Sequence, residues 1–237
     1  MNIRSLLLVA LLPAAALYAA PQKPAYETRA DHDPNGIGKF YMGREIAHVM
    51  GHQAASWLER PERENEERTD LLVEAMELKP GEVVADIGAG SGYFTWRMAK
   101  AVAPTGKIYA VEIQQEMLDL IQRNMARRDV SNVVSTLGTT SDPKLPPAGV
   151  DTILLVDVYH EFDQPYEMLE AMTRSLKKGG RIVWVEFRAE DPKVNIKTLH
   201  KMSVEQAKKE ASIFPELHFE KNIDILPQQH IMIFRKL

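Results

Sequence analysis

Apolar and polar positions alternate between two kinds of segment from Val83 onward. Val83–Ile87, Lys107–Ile113, Asn132–Leu137, Val150–Val158 and Arg181–Phe187 are short runs rich in apolar and β-branched residues, and Val150–Val158 is nearly all apolar, as a strand covered on both faces should be. Between them, Tyr93–Val102, Gln114–Arg128 and Gln164–Lys177 read as helices. Met117, Ile121 and Met125 share one face of the second, and Leu169, Met172 and Leu176 align along the third, the spacing of a helix buried along one stripe. Pro104 with Gly106 ends the first, and Lys177-Lys178-Gly179-Gly180 reads as a helix stop. A helix over Lys197–Phe214 precedes two more strands, Leu217–Leu226 and His230–Lys236.

Strands separated by helices need crossover connections and therefore form a parallel sheet. The last two strands are joined only by Pro227-Gln228-Gln229. That is too short for a crossover, so they must run antiparallel. The predicted class is α/β: a doubly wound, mostly parallel sheet with a C-terminal antiparallel hairpin, plus N-terminal helices.

Those N-terminal helices are predicted over Gly43–Arg60, with Ile46, Val49, Met50, Ala54, Trp57 and Leu58 along a stripe, and over Thr69–Leu78, with Leu72, Val73 and Met76 inward. The charged run Glu62–Arg68 between them reads as a solvated face. Pro21 to about Asn35 is polar and turn-rich, the pattern of a linker. Before it, Arg4 precedes the apolar stretch Leu6–Leu17, and small residues lead to Ala19-Ala20. A charged start, a short apolar core and small residues at the exit describe a secretory signal peptide cleaved near Ala20. The apolar run is shorter than the roughly 20 residues that span a bilayer. The expected organisation is a signal peptide over 1–20, a linker and helical extension over 21–66, and the α/β domain over 67–237. The extension either lids the site or packs on the sheet. The mature chain is expected to be periplasmic or secreted, without stable membrane insertion; if the leader is not functional, it is cytoplasmic.

Composition narrows the chemistry. The chain has 237 residues, 29 Lys+Arg against 33 Asp+Glu, and a net charge of −4, which speaks against nucleic acid, since phosphate binding needs clustered cations. It has no cysteine. Disulfides, thiolate nucleophiles and zinc-thiolate sites are thereby excluded.

Candidate chemistry begins where the first strand ends, at Asp86-Ile87-Gly88-Ala89-Gly90-Ser91-Gly92-Tyr93. Glycines at alternate positions let backbone pass close under a ligand and turn into a helix. The dinucleotide fingerprint Gly-x-Gly-x-x-Gly is not met, because Tyr93 stands where its third glycine belongs. Asp86 just before the loop would repel a pyrophosphate and suits an ammonium group. Glu112, ending the second strand, either accepts both hydroxyls of a ribose or serves the dipole of the following helix.

Asp86–Tyr93, Glu112 and the closing hairpin resemble the class I S-adenosylmethionine-dependent methyltransferases, over about Glu67–Leu237. The resemblance implies a seven-stranded sheet and S-adenosylmethionine as cofactor. Asp86 and the backbone of Gly88, Ala89, Gly90, Ser91 and Gly92, leading into Tyr93, would then contact its methionyl end. Glu112 would hold the ribose and Ile113 would pack on adenine. Near the adenine amine the family often has an acid. Here Thr139 follows Gly138, and Asp142 is the nearest carboxylate.

The fourth strand runs into Asp157-Val158-Tyr159-His160-Glu161-Phe162, and ligands bind outside the carboxyl ends of such strands. Asp157 would receive the cofactor's ammonium or the substrate. His160 would either take a proton from the acceptor or serve only the local turn. Asp157 and Glu186 end neighbouring strands, but the further Asp-Asn pair of metal-using relatives is missing, so no metal is expected. The resemblance also sets aside base and glutamine amino-methylation, which needs Asn/Asp-Pro-Pro-Tyr/Phe here, and arsenite methylation, which needs cysteines. A small-molecule acceptor remains by elimination. Two other classes compete: a nicotinamide oxidoreductase, and a protein that keeps the fold for binding or structure without turnover.

Overall fold

The computed structural model describes residues 23–237. The signal peptide expected over 1–20 lies outside the described residues.

The chain starts with three antiparallel strands, β1 (Tyr26–Thr28), β2 (Gly36–Tyr41) and β3 (Arg44–Ala47). They replace the expected linker and the first half of the expected Gly43–Arg60 helix. Tyr41 pairs with Arg44 across a two-residue turn in which Met42 and Gly43 both have positive φ, 49° and 95°. Such a turn matches the twist of a hairpin and cannot continue a helix. Tyr41 and Ile46 are buried, whereas Val49 and Trp57 of the expected stripe are 43% and 42% exposed. Only a 3₁₀ turn at His52–Ala54 and the short helix α1 (Ala55–Leu58) remain helical there.

Next come α2 (Arg63–Glu67) and α3 (Thr69–Ala75). The charged run is not simply a solvated face. Arg63 and Glu67 are buried and paired, Nε to Oε2 at 2.9 Å, and Arg60 Nη2 reaches Glu67 Oε1 at 2.6 Å.

The main domain follows as β4 (Val83–Ile87), α4 (Thr95–Val102), β5 (Lys107–Glu112), α5 (Gln115–Arg127), β6 (Val133–Leu137), β7 (Val150–Val156), α6 (Pro165–Ser175), β8 (Leu176–Arg188), β9 (Lys201–Met202), α7 (Val204–Ala211), β10 (Leu217–Ile223) and β11 (Gln229–Lys236). The strand order is β10-β11-β8-β7-β4-β5-β6. β4, β5, β6, β7 and β8 run parallel to one another, and β11 runs antiparallel to both β8 and β10. The mostly parallel α/β sheet with its terminal antiparallel hairpin is as expected. One two-residue strand is added: β9 pairs with the end of β8.

Strand alternation divides the core in two. Ile153, Leu155, Trp184 and Phe234 face one side with Met172 of α6. Leu154, Val183 and Ile231 face the other with Met98 of α4 and Leu72 of α3. The expected helix stop holds to within two residues, since α6 ends at Ser175, but β8 already pairs at Leu176 with Val150 and resumes at Arg181 with Thr152, so Lys177–Gly180 is an irregularity within the strand. The expected Lys197–Phe214 helix is also interrupted. A 3₁₀ turn (Thr198–His200) and β9 come first, and Ser203 Oγ then caps α7 by accepting the Gln206 N–H at 3.1 Å. Among the described residues no helix is long and apolar enough to cross a membrane.

Candidate active site

A cavity of about 380 Å³ opens outside the carboxyl ends of β4, β5, β7 and β8, where an α/β sheet of this kind places its ligands. Gly88, Gly90, Glu112, Ile113, Thr139, Asp157 and His160 line it, together with Glu161, Phe162, Met168, Phe187, Ile196 and His200. Val49, Met50, Ala54, Trp57 and Leu58 form a further wall. The N-terminal segment therefore borders the site, although not as the helix expected. It is stitched to both rims: Met50 N donates to Glu161 Oε1 (3.2 Å), Gln114 Nε2 donates to Met50 O (3.0 Å), and His52 N donates to Gln114 Oε1 (2.9 Å).

The loop after β4 owes its path to glycine. Gly88 and Gly90 have φ of 67° and 56°. A Cβ on Gly88 would collide with Val158 Cγ2, and one on Gly90 would lie 2.5 Å from Leu58 Cδ1. Gly90 N donates to Glu112 Oε1 at 2.7 Å and Ile113 N to Oε2 at 3.1 Å, so the Glu112 carboxylate is fixed on the cavity edge. Burial raises its pKa, opposed by those N–H donors.

Other loop residues stand behind the lining. Asp86 is buried and Oδ2 accepts from Thr95 Oγ1 at 2.6 Å; burial pushes its pKa up to about 7. Ala89, Ser91, Gly92 and Tyr93 do not border the cavity. Ser91 Oγ donates to Glu59 Oε1 (2.6 Å), and the Tyr93 hydroxyl meets Thr69 and Glu64, each at 3.0 Å. Thr139 borders the cavity and Asp142 does not: its carboxylate turns to Lys144, accepting from N and Nζ at 2.7 and 3.0 Å.

Asp157 directly follows β7 with φ of 50°. Its Oδ2 accepts from Gln229 Nε2 at 2.7 Å, while Oδ1 is buried with no partner among the described residues. Burial first, then the charges of Glu67 and Glu186, hold its pKa well above the usual carboxylate range. A buried carboxylate oxygen without a donor is costly. A ligand N–H or ammonium would satisfy it, so the residues present fit an aminoacyl cofactor.

His160 is buried beside it. Its Nδ1 lies 2.6 Å from Glu186 Oε2 and its Nε2 lies 3.0 Å from His200 Nδ1. Glu186 is fully used by this contact and by the backbone N–H groups of Tyr159 and His160, so Asp157 and Glu186 do not make an open carboxylate pair. Two cavity residues escape sequence reasoning. His200 reads as part of a helix, and its place here follows from β9. β11 occupies one edge of β8, so β9 must take the edge that β7 leaves after Val156, and this carries His200 over the strand ends. Arg63 reads as one charge in a charged run. Its guanidinium stacks 4.4 Å from the Tyr93 ring centroid and donates to Leu58 O at 2.9 Å.

Residues 78–229 match the model of a family described as a methyltransferase domain. The chain is 31% identical over 112 residues to the protein-L-isoaspartate O-methyltransferase of Ignicoccus hospitalis, covering 47% of this chain and 50% of that protein. It is 28% identical over 105 residues to the arsenite methyltransferase of Halobacterium salinarum, covering 44% of this chain and 27% of that protein. The chain thus spans about half or less of the length of the curated relatives it matches. Among solved structures, a SAM-dependent methyltransferase from Aquifex aeolicus shares the fold with a TM-score of 0.74 at 19% identity, over 80% of this chain and 100% of that one.

Proposed function

The chain belongs to the methyltransferase domain family, with S-adenosylmethionine as its cofactor, and from that premise we propose that it methylates a small, largely apolar acceptor through an oxygen or nitrogen nucleophile. One observation carries the reading: the glycine loop with Glu112 shares a single cavity with Asp157 and His160, and most of the remaining wall surface is apolar, from residues such as Phe162, Met168, Phe187 and Ile196. When bound, the cofactor supplies an electrophilic methyl group on a sulfonium. The Gly88–Gly90 backbone takes its methionyl end, Asp157 Oδ1 its ammonium, and Glu112 its ribose hydroxyls, with Ile113 against adenine. Asp86 acts from below, through Thr95 and the start of α4.

Displacement at a methyl carbon requires alignment more than acid–base help. Phe162, Met168, Phe187 and Ile196 supply apolar surface to orient the acceptor and exclude water. The wall formed by Val49–Leu58 favours a small molecule, because a folded polypeptide would need an open groove. His160, with Nδ1 engaged by Glu186 and Nε2 beside His200 Nδ1 in the cavity lining, is the titratable group nearest to hand for the acceptor's proton. The proposal includes export. The leader pattern of residues 1–20 supports a mature chain starting near Pro21 and working in the periplasm or outside the cell.

The test uses methyl-labelled S-adenosylmethionine, the purified chain and an extract of the native host. Label in the low-molecular-mass fraction is expected, and Gly90→Val should abolish both transfer and calorimetric cofactor binding. Label confined to protein overturns the acceptor class. Unchanged cofactor affinity in Gly90→Val overturns the site.

A further inference from the structure

We propose that His160, Glu161 and His200 bind one divalent transition-metal ion on the acceptor side of the cavity. The ion's catalytic role rests on the methyltransferase reading; its binding does not.

One ligand atom from each residue lies within 4.8 Å of the other two, and all three residues line the cavity. His160 Nε2 and His200 Nδ1 are 3.0 Å apart, with the rings inclined at 71°. An ion about 2.0–2.1 Å from each imidazole nitrogen would see that pair at roughly 90°, an ordinary coordination angle. Glu161 Oε1 stands 4.0 Å from His160 Nε2. Rotation about the soft terminal torsion of glutamate closes a gap of under about 1 Å. The rest of the ion's coordination sphere would face the cavity, open to an acceptor.

The surroundings suit a ligand set better than a chance meeting of two rings. Glu186 Oε2, 2.6 Å from His160 Nδ1, places the ring proton on Nδ1 and the lone pair on Nε2. Metal-binding histidines are held by a carboxylate in this way. Glu161 is mostly buried, yet among the described residues its carboxylate has one hydrogen-bond donor, Met50 N on Oε1. A histidine pair alone leaves that carboxylate unexplained. Two imidazoles and a carboxylate select ions of the zinc, iron or manganese kind over calcium or magnesium. The site is also distinct from the Asp157–Glu186 pair, in which Glu186 is already taken up by His160 Nδ1 and the backbone N–H groups of Tyr159 and His160.

An ion here narrows the acceptor to an oxygen nucleophile. It would bind the acceptor hydroxyl and stabilise the negative charge left as the proton passes to solvent. The oxygen then forms its bond to the methyl carbon while the sulfur–methyl bond breaks and sulfur keeps the electron pair.

The experiment titrates the chelator-stripped chain with Zn²⁺ alone by calorimetry, and with Co²⁺ to read ligand-field absorption. One ion per chain is expected. Glu186→Gln should weaken it by about 10–100-fold, as loss of a supporting carboxylate does, and His200→Ala and Glu161→Gln by at least as much. His200 is only part-buried, so its variant keeps the test valid if Glu186→Gln misfolds. Absence of stoichiometric binding, or affinity unchanged in His200→Ala, overturns the proposal. S-adenosylmethionine binding is measured separately on the stripped wild-type chain. Cofactor binding together with no stoichiometric Zn²⁺ binding sinks only the metal site; stoichiometric Zn²⁺ binding without cofactor affinity sinks only the methyltransferase reading.

Discussion

His160 Nδ1 lies 2.6 Å from Glu186 Oε2, and the other oxygen of that carboxylate accepts the N–H groups of Tyr159 and His160 at 3.0 and 3.3 Å. A single residue of β8 thus fixes both the ring and the backbone of the turn after β7. Neither side chain is more than 1% exposed. Burial alone would lower the His160 pKa, but Glu186, joined by the charges of Glu161 and Asp157, outweighs it and the pKa is raised.

Glu186→Gln keeps the shape and removes the charge. The His160 pKa should fall, moving the acid limb of the rate–pH profile down by at least about one unit, the usual scale for an adjacent opposite charge. A raised histidine pKa contributes stability that is fully present below the unfolded value of about 6.5 and is lost as pH rises through the folded value. Urea melts should therefore show the largest deficit of the variant on the acid side of that window. A deficit that grows toward alkaline pH would contradict the pairing.

Asp86 carries the opposite kind of strain. Its pKa is raised to about 7 by burial, above an ordinary value of 3.8, with Thr95 opposing the shift and Glu112 adding to it. Stability from this group is complete below about pH 3.8 and is lost as pH rises toward 7. Asp86→Asn keeps a hydrogen-bonding partner for Thr95 without the buried charge. It should match the parent near pH 4 and exceed it at pH 8 by a few kcal/mol, on the order of 1.4 per pKa unit. Cofactor affinity should fall in the same variant. Calorimetry and chemical melts at the two pH values check both halves.

Arg44 and Glu210 make a buried bidentate pair, at 2.8 and 3.1 Å, and Glu210 also accepts from Tyr159 Oη at 2.9 Å. Arg44 Nη1 donates to His160 O at 3.2 Å, so this pair ties β3 to the turn after β7. Arg44→Ala leaves the Glu210 charge buried and should cost about 3–5 kcal/mol. Replacing both by methionine should restore most of that, short of about 1–3 kcal/mol for the orphaned Tyr159 hydroxyl. A double variant as unstable as the single would show that the pair is favourable in its own right.

The sheet was legible because both-face burial writes itself into apolar runs, and because three residues between Leu226 and His230 permit only a hairpin. The glycine loop and Glu112 were legible because turn geometry and strand ends restrict residue type locally. The N-terminal hairpin was missed for a different reason. Ile46, Val49 and Met50 fit a helical period, while the decisive signal, Met42-Gly43 between Tyr41 and Arg44, is a turn whose strands find partners only in the fold. His200 had no local signal. It reaches His160 because β9 takes the edge of β8 beyond Val156, a pairing between distant segments that periodicity does not record.

The wall over the cavity gives the last prediction. Residues 48–58 lack regular structure apart from two short helical turns, and Val49 and Trp57 are substantially exposed, so few apolar contacts hold them. Gln114 grips this segment twice, donating to Met50 O at 3.0 Å and accepting from His52 N at 2.9 Å. Each such hydrogen bond is worth about 0.5–1.5 kcal/mol net, so Gln114→Ala should loosen the wall by about 1–3 kcal/mol. The sheet core makes none of these contacts, and global melting should move less than that. Local opening would show first, as faster amide exchange confined to Val49–Leu58. A ligand held under that wall should then dissociate about tenfold faster, which corresponds to 1.4 kcal/mol. Stopped-flow release of S-adenosylmethionine from parent and variant measures it directly. Equal release rates, with exchange raised in the segment, would mean that the cofactor leaves by another face and that Gln114 serves only local order.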